Sequence, residues 1–278
     1  MKIARTIIEL NTLLNQYRIS STIGFVPTMG ALHQGHLSLI NESKMQCNFT
    51  VCSIFVNPTQ FNDKKDLERY PRTEDEDLKL LKEANCDLVF LPSVLEMYPE
   101  PDKRVFDFGT LDKVLDGEAR PGHFNGVAQI VSKLFDIVKP TKAFFGLKDY
   151  QQVLIIKALV KQLNFNIEII ACPILREKDG LAMSSRNALL NVSERKLAAL
   201  IPQLMSSIPS LITAGYSFNR ILLHFETKFL ANGYNLDYLK LANAQTLQIE
   251  NDFTDNHQQI VLIACFVGKI RLIDNLLL

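Results

Sequence analysis

Apolar and polar residues follow one another in blocks whose period switches between strand and helix along the first 175 residues. Thr22 to Val26 is a short, apolar, β-branched run that reads as a buried strand, and Pro27 to Gly30 is the signal that ends it. A helix is expected to start near His36, because Leu37, Ile40 and Lys44 recur at helical spacing, and the next buried run is Phe49 to Val56. Thr73 and Glu76 have the spacing of a capping box for the helix TEDEDLKLLKEA, after which CDLVFLP supplies another strand. An amphipathic helix is predicted from Phe124 to Val138, closed by Lys139 and Pro140. The strand KAFFG, the helix YQQVLIIKALVKQLN and the strand IEIIACPI follow.

Strands that alternate with helices in this way imply a mostly parallel sheet covered on both faces, an α/β, doubly wound, Rossmann-like domain spanning residues 1–175. After Arg176 the pattern changes. A polar loop precedes two helical stretches, Ser193 to Leu211 and Phe218 to Leu230, and strands are expected from YLKLAN and VLIACFVGKIRLID, with Gly268 and Lys269 marking a turn or bulge. Residues 176–278 therefore read as a smaller α+β domain.

Composition narrows the setting. The formal net charge is zero across 278 residues, so nothing in the overall balance favours nucleic acid or an anionic membrane as a partner, and any anion site must be local. No stretch approaches the roughly 20 apolar residues a membrane span needs, and MKIARTIIELNTLL lacks a signal peptide's apolar core. Cys47, Cys52, Cys86, Cys172 and Cys265 have no CxxC spacing and read as buried, reduced thiols, which suits the cytoplasm.

The chemistry concentrates where the first strand hands over to the first helix, in the segment Met29, Gly30, Ala31, Leu32, His33, Gln34, Gly35 and His36. A helix N-terminus at the carboxyl end of a parallel strand offers backbone N–H groups and positive partial charge to a phosphate, and two imidazoles add donors. No GxGxxG follows the strand and no GxxxxGK[ST] is present, which disfavours a dehydrogenase or a P-loop kinase. The competing reading is that His33 and His36 only cap a helix or lie on the surface. A second polar segment, Met183, Ser184, Ser185 and Arg186, sits on the loop REKDGLAMSSRN, where a helix N-cap is again the alternative. The segment from Asp179 to Arg186 is expected to be mobile without ATP and ordered with it, since its donors have no obvious partners.

HxGH followed by MSSR resembles the paired phosphate motifs of the nucleotidylyltransferase superfamily, with Ala182 where the second motif has its first lysine. The stretches FVPTMGALHQGH, SIFVNPTQFNDKKDLERYPRT, GHFNGVAQIVSKLFDIVKP, FFGLKDYQQ and LREKDGLAMSSRN together resemble the pantothenate synthetase family. That resemblance implies ATP-dependent condensation of pantoate with β-alanine through a pantoyl adenylate. It implies that His36 acts as proton donor at the triphosphate and that His33, Asn57, Lys148, Ser184, Ser185 and Arg186 surround the phosphates. It places Gly146 and Asp149 at the ribose, Leu147 beside them, and the backbone of Leu175 near adenine. It gives Gln60 and Gln152 to pantoate, with Gln60 also near β-alanine. Mg²⁺ accompanies ATP with no dedicated protein cage, and a homodimer is expected. Two rivals stay open on the motifs alone: a nucleotidylyltransferase whose product keeps the nucleotidyl group, and a nucleotide-binding regulator without catalysis. His224 and His257 are read as surface residues, and His123 as a cap for the helix that starts at Phe124, with a place beside the substrate as the alternative.

Overall fold

The computed structural model describes residues 1–62, 64–233 and 235–278; Asp63, inside one of the family-like stretches, and Tyr234 lie outside the described residues. Residues 1–147 and 151–173 form one compact unit, and residues 148–150 and 174–278 form a second. In the first, the strands β1 (Lys2–Ala4), β2 (Ile23–Thr28), β3 (Phe49–Ile54), β4 (Leu88–Phe90), β5 (Lys142–Gly146) and β6 (Glu168–Cys172) are joined through α1 (Ile7–Leu14), α2 (Gln34–Gln46), α3 (Lys64–Arg69), α4 (Glu74–Glu83), α5 (Val94–Met97), α6 (Asp116–Ala119), α7 (His123–Val138) and α8 (Tyr150–Gln162). Every strand pair is parallel and the order is β1-β4-β3-β2-β5-β6. The order reverses between β2 and β5, which is where such sheets open a crevice for ligands.

Neighbouring residues in each strand feed opposite faces. Phe25 and Phe145 pack with Phe135 of α7 on one side, whereas Val26 and Phe144 join Ile40 of α2 and Leu81 of α4 on the other. Both faces are dry, so the strands read as continuous apolar runs, and the doubly wound α/β expectation is met.

The second unit holds α9 (Val192–Ala198), α10 (Leu200–Thr213) and α11 (Phe218–Ala231), with β7 (Asn235–Asn243), β8 (Ile249–Glu250), β9 (Gln259–Val267) and β10 (Ile270–Leu277) in an antiparallel sheet ordered β10-β9-β7-β8. Ile201, Met205, Ile221 and Phe225 of its helices bury against Leu239, Ile263 and Cys265 of its sheet. Gly268 takes the left-handed conformation, φ +59°, in the turn between β9 and β10.

Several local expectations are corrected. Pro27 does not end β2, which runs to Thr28. Only Gly24 and Phe25 pair with β5, so beyond them the strand has a free side on which a missing N–H costs the ladder nothing. α2 begins at Gln34, two residues before His36. The single helix expected from Ser193 to Leu211 is two, divided at Ala199, because Pro202 in the first turn of α10 cannot donate to the carbonyl of Ala198. β1 and the Thr6–Glu9 capping box of α1 had no place in the sequence reading. Thr73 makes no side-chain cap on α4, so the box with Glu76 does not form. Its hydroxyl is used elsewhere.

Candidate active site

The turn from β2 to α2 spends most of its backbone N–H groups on partners within its own unit. Thr28 Oγ1 donates to the Ser53 carbonyl at 2.8 Å and accepts from Gly30 N at 3.3 Å. Ala31 N and Leu32 N donate to the two carboxylate oxygens of Asp77 at 2.9 and 2.7 Å. His33 N donates to His36 Nδ1 at 3.3 Å, and Gly35 N to His33 Nδ1 at 3.1 Å. Each N–H from Gly30 to His33 is thus spent inside the unit.

Two consequences follow for the histidines. The capping alternative is realised: His33 is the N-cap of α2 and His36 returns the bond, a capping box made of imidazoles. Capping also fixes which ring nitrogen is left to donate. A nitrogen that accepts from N–H cannot carry a proton, so each neutral ring has its proton on Nε2 and presents that atom as a donor. The rings lie 4.0 Å apart at a 33° tilt, which puts two donors of one kind side by side.

Beyond β3, Asn57 caps the 3-10 turn Pro58–Gln60 and Gln60 ends it. Asn57 is buried and fully engaged: its Nδ2 donates to Gln60 Oε1 at 3.2 Å and to the Gly126 carbonyl at 3.0 Å, while its Oδ1 accepts from Tyr98 Oη at 2.9 Å. Gln60 Nε2 points at Met29 Sδ, 2.9 Å away, so Met29, Asn57 and Gln60 are brought together. With both amide hydrogens committed, Asn57 acts here as the orienter of Gln60.

His123 is the first residue of α7, not a cap for it; Gly122 occupies the cap position. Its Nδ1 donates to the Gln60 carbonyl at 2.8 Å and its Nε2 accepts from Arg120 Nη1 at 3.1 Å, the opposite tautomer to that of His33 and His36. Gly126 lets α7 come this close, since a Cβ there would lie 2.3 Å from the Thr59 carbonyl oxygen. Gln151 spends its amide on the carbonyls of Leu111 and Val114 at 2.6 and 2.8 Å and is structural; Gln152, half-buried, is the neighbour assigned to pantoate. Gly146 ends β5, and Leu147 opens the 3-10 turn that follows.

Lys148 and Asp149 belong to the second unit, as do Leu175 and Met183 to Arg186. Lys148 Nζ lies 3.6 Å from Asp149 Oδ1, and the Lys148 carbonyl accepts from Asn275 Nδ2 at 3.1 Å. The polar loop proves well furnished with partners. Glu177 N donates to the Leu181 carbonyl at 2.8 Å, and Met183 N to the Leu175 carbonyl at 3.0 Å, closing a small hairpin. Arg176 grips Asp274 with two bonds of 2.7 and 2.9 Å, and Arg195 reaches Glu177 and Asp179. Ser184 caps the 3-10 helix Ser185–Leu189 by accepting from Arg186 N at 3.3 Å. Within the Asp179–Arg186 segment the premise of partnerless donors is therefore wrong from Asp179 to Met183, where backbone bonds and a side-chain ion pair invisible in the local sequence supply the hold.

The residue that sequence reasoning missed is Asp77. In the run Glu74 to Asp77 it looked like one more acidic residue of a first helical turn. The signal was its register, one turn beyond Thr73 on the inward face of α4, where a carboxylate buried to 1% exposure needs donors.

A turn of nitrogen donors at the switch point of a parallel sheet, beside a glutamine held from three directions, defines an α/β enzyme that handles a nucleotide and a small polar substrate. The Pantoate-beta-alanine ligase family profile matches residues 2–277. The pantothenate synthetase of Phocaeicola vulgatus is 48% identical over 99% of both chains. The crystal structure of the Thermus thermophilus pantothenate synthetase superposes with a TM-score of 0.91 at 40% identity, covering 99% of each chain. The Francisella tularensis pantoate-beta-alanine ligase, complexed with beta-gamma ATP and beta-alanine, gives 0.85 at 37% identity over 100% of this chain and 97% of that one. The chain belongs to the pantoate-beta-alanine ligase family.

Proposed function

We propose that the turn Met29–His36 receives the triphosphate of ATP and that Gln60 and Gln152 hold pantoate, in the reaction of this family: ATP-dependent condensation of pantoate with β-alanine. A carboxylate does not acylate an amine at neutral pH, because oxide is too poor a leaving group. The pantoate carboxylate therefore attacks the α-phosphorus and expels pyrophosphate, and the β-alanine amine then attacks the pantoyl carbon and expels AMP. His33 and His36 offer Nε2–H to phosphate oxygens as charge develops on the departing pyrophosphate, with Lys148, Ser184, Ser185 and Arg186 neutralising the rest. Gln60 and Gln152 orient the carboxylate without neutralising it, which keeps it nucleophilic, and Gln60 stays close enough to guide β-alanine.

The remaining assignments complete this reading. Residues 1–175 bind ATP and pantoate, and residues 176–278 bring the MSSR segment. Asn57 enters through Gln60; Ala31 and Leu32 contribute the shape of the turn; Gly146, Leu147, Asp149 and Leu175 lie along the nucleoside. Mg²⁺ travels with ATP on phosphates and water, since the turn is built from donors rather than carboxylates. The enzyme works as a cytoplasmic homodimer. Among the described residues no helix is long and apolar enough to cross a membrane.

The observation that carries the reading is the imidazole capping box, because it fixes two Nε2–H donors at the end of β2. Its test is a rapid-quench measurement with ATP, Mg²⁺ and pantoate. About one equivalent of pyrophosphate per site should appear and then stop until β-alanine releases AMP. If pyrophosphate forms only once β-alanine is present and no adenylate can be trapped, the two-step scheme is wrong.

A further inference from the structure

Gly30 and Ala31 are consecutive residues with positive φ, +80° and +49°, and the second has a side chain. In this turn Ala31 N and Leu32 N converge on one carboxylate, the kind of concavity that turn backbone elsewhere offers to phosphate or other anions. Here the concavity is already filled. Asp77, delivered from α4, takes Ala31 N on one oxygen and Leu32 N on the other, and Thr73 Oγ1 donates to the same Oδ1 at 3.2 Å. The fit leaves no slack: a Cβ on Gly30 would stand 2.9 Å from Asp77 Oδ2 and 3.0 Å from Ile54 Cγ2. His33 follows directly, as the N-cap of α2.

We propose that Asp77 is the positioning residue of the nucleotide turn: as an internal anion it locks Gly30 to Leu32 and thereby fixes where His33 and His36 present their Nε2–H donors. The inference rests on the reading of that turn as the triphosphate site. A neutral partner would not serve equally, because charge-assisted bonds from two adjacent N–H groups require two acceptor oxygens. Filling the concavity from inside also moves the incoming phosphate one step along the chain, away from the strained backbone and onto the imidazoles. Buried to 1% exposure, Asp77 acts through the loop it holds.

Asp77→Asn tests this, because the amide supplies one acceptor and turns an N–H donor against an N–H donor. The pyrophosphate burst with ATP and pantoate should slow about 10- to 100-fold, the scale of a displacement of roughly 1 Å at a reacting group. Transfer to β-alanine from chemically supplied pantoyl adenylate should change less than about twofold, since the triphosphate is gone by then. A role confined to stability would lower both half-reactions in parallel, and that result overturns the proposal. Thr73→Val, which keeps the carboxylate and removes one donor, should show a smaller loss confined to the same half-reaction and serves if Asp77→Asn fails to fold; an unchanged burst in Thr73→Val then overturns the proposal. His36→Ala is the reference. A lost burst in His36→Ala with a normal burst in folded Asp77→Asn overturns the positioning role and leaves the phosphate reading standing. A normal burst in both overturns the phosphate reading and the positioning role with it.

Discussion

From Thr28 to Leu37 the chain is held by its own backbone N–H groups, which end on a buried carboxylate, a threonine hydroxyl and two imidazole nitrogens. From Arg176 to Asn187 it is held instead by side chains: Arg176 on Asp274, Arg195 on Glu177 and Asp179, and Asn187 Nδ2 on Glu177 at 2.6 Å. Arg195 and both its carboxylates are about a third exposed, whereas Asp77 is dry. Bonds to a dry carboxylate ignore salt; half-exposed ion pairs are screened. The first segment is thus fixed by its own unit, and the second is adjustable at small cost.

The sharpest way to break this contrast is at the fixed segment. His36→Ala should raise the adenylation barrier by about 2 to 4 kcal/mol, the range for losing one preorganised donor, and cost stability about 1 kcal/mol through the lost capping bond from His33 N. Near-normal pyrophosphate release by the folded variant would remove His36 from the mechanism.

At the adjustable segment the largest effect falls on stability. Arg176→Ala leaves Asp274, whose side chain is 1% exposed, without its two-bond partner. Because Arg176 is itself partly exposed, the cost should be about 2 to 3 kcal/mol, below the range for a fully buried pair. Urea unfolding would read it, and a change under about 0.5 kcal/mol would mean that water already satisfies Asp274.

The smallest effect separates the segments without mutation. Raising salt from about 0.05 to 0.5 M should loosen only the ion-paired segment, by under about 1 kcal/mol. In hydrogen exchange the amides of Glu177 and Met183 should lose protection with salt and regain it with ATP and Mg²⁺, while Ala31 and Leu32 stay constant. Equal responses in both segments would erase the distinction.

Legibility in the sequence divided along the same line. Strand and helix alternation, the doubly wound class and the HxGH position were readable because they depend on period and on neighbours in the chain. So was the separate character of the second unit, from the change of pattern after Arg176. What escaped depends on partners far away in sequence. Asp77 answers Ala31 and Leu32 across 46 and 45 residues, and Asp274 answers Arg176 across 98. The family resemblance places Asn57 at the phosphates. Its engagement with Gly126, 69 residues away, is a fact of packing that no local pattern encodes. Pro27 was read as a stop because the rule holds for a strand paired on both sides, and the early end of the pairing to β5 removes that condition.

The imidazole capping box also protects the enzyme from a hazard of its own composition. Two histidines 4.0 Å apart resemble a trap for zinc, copper or nickel ions, which seize unprotonated ring nitrogens. In each ring the bare nitrogen is Nδ1, and that lone pair is already spent on a backbone N–H. For a metal to bind Nε2, the proton there must move to Nδ1, and that would uncap α2. Poisoning of this site by transition metals therefore carries the cost of undoing the first turn of a helix.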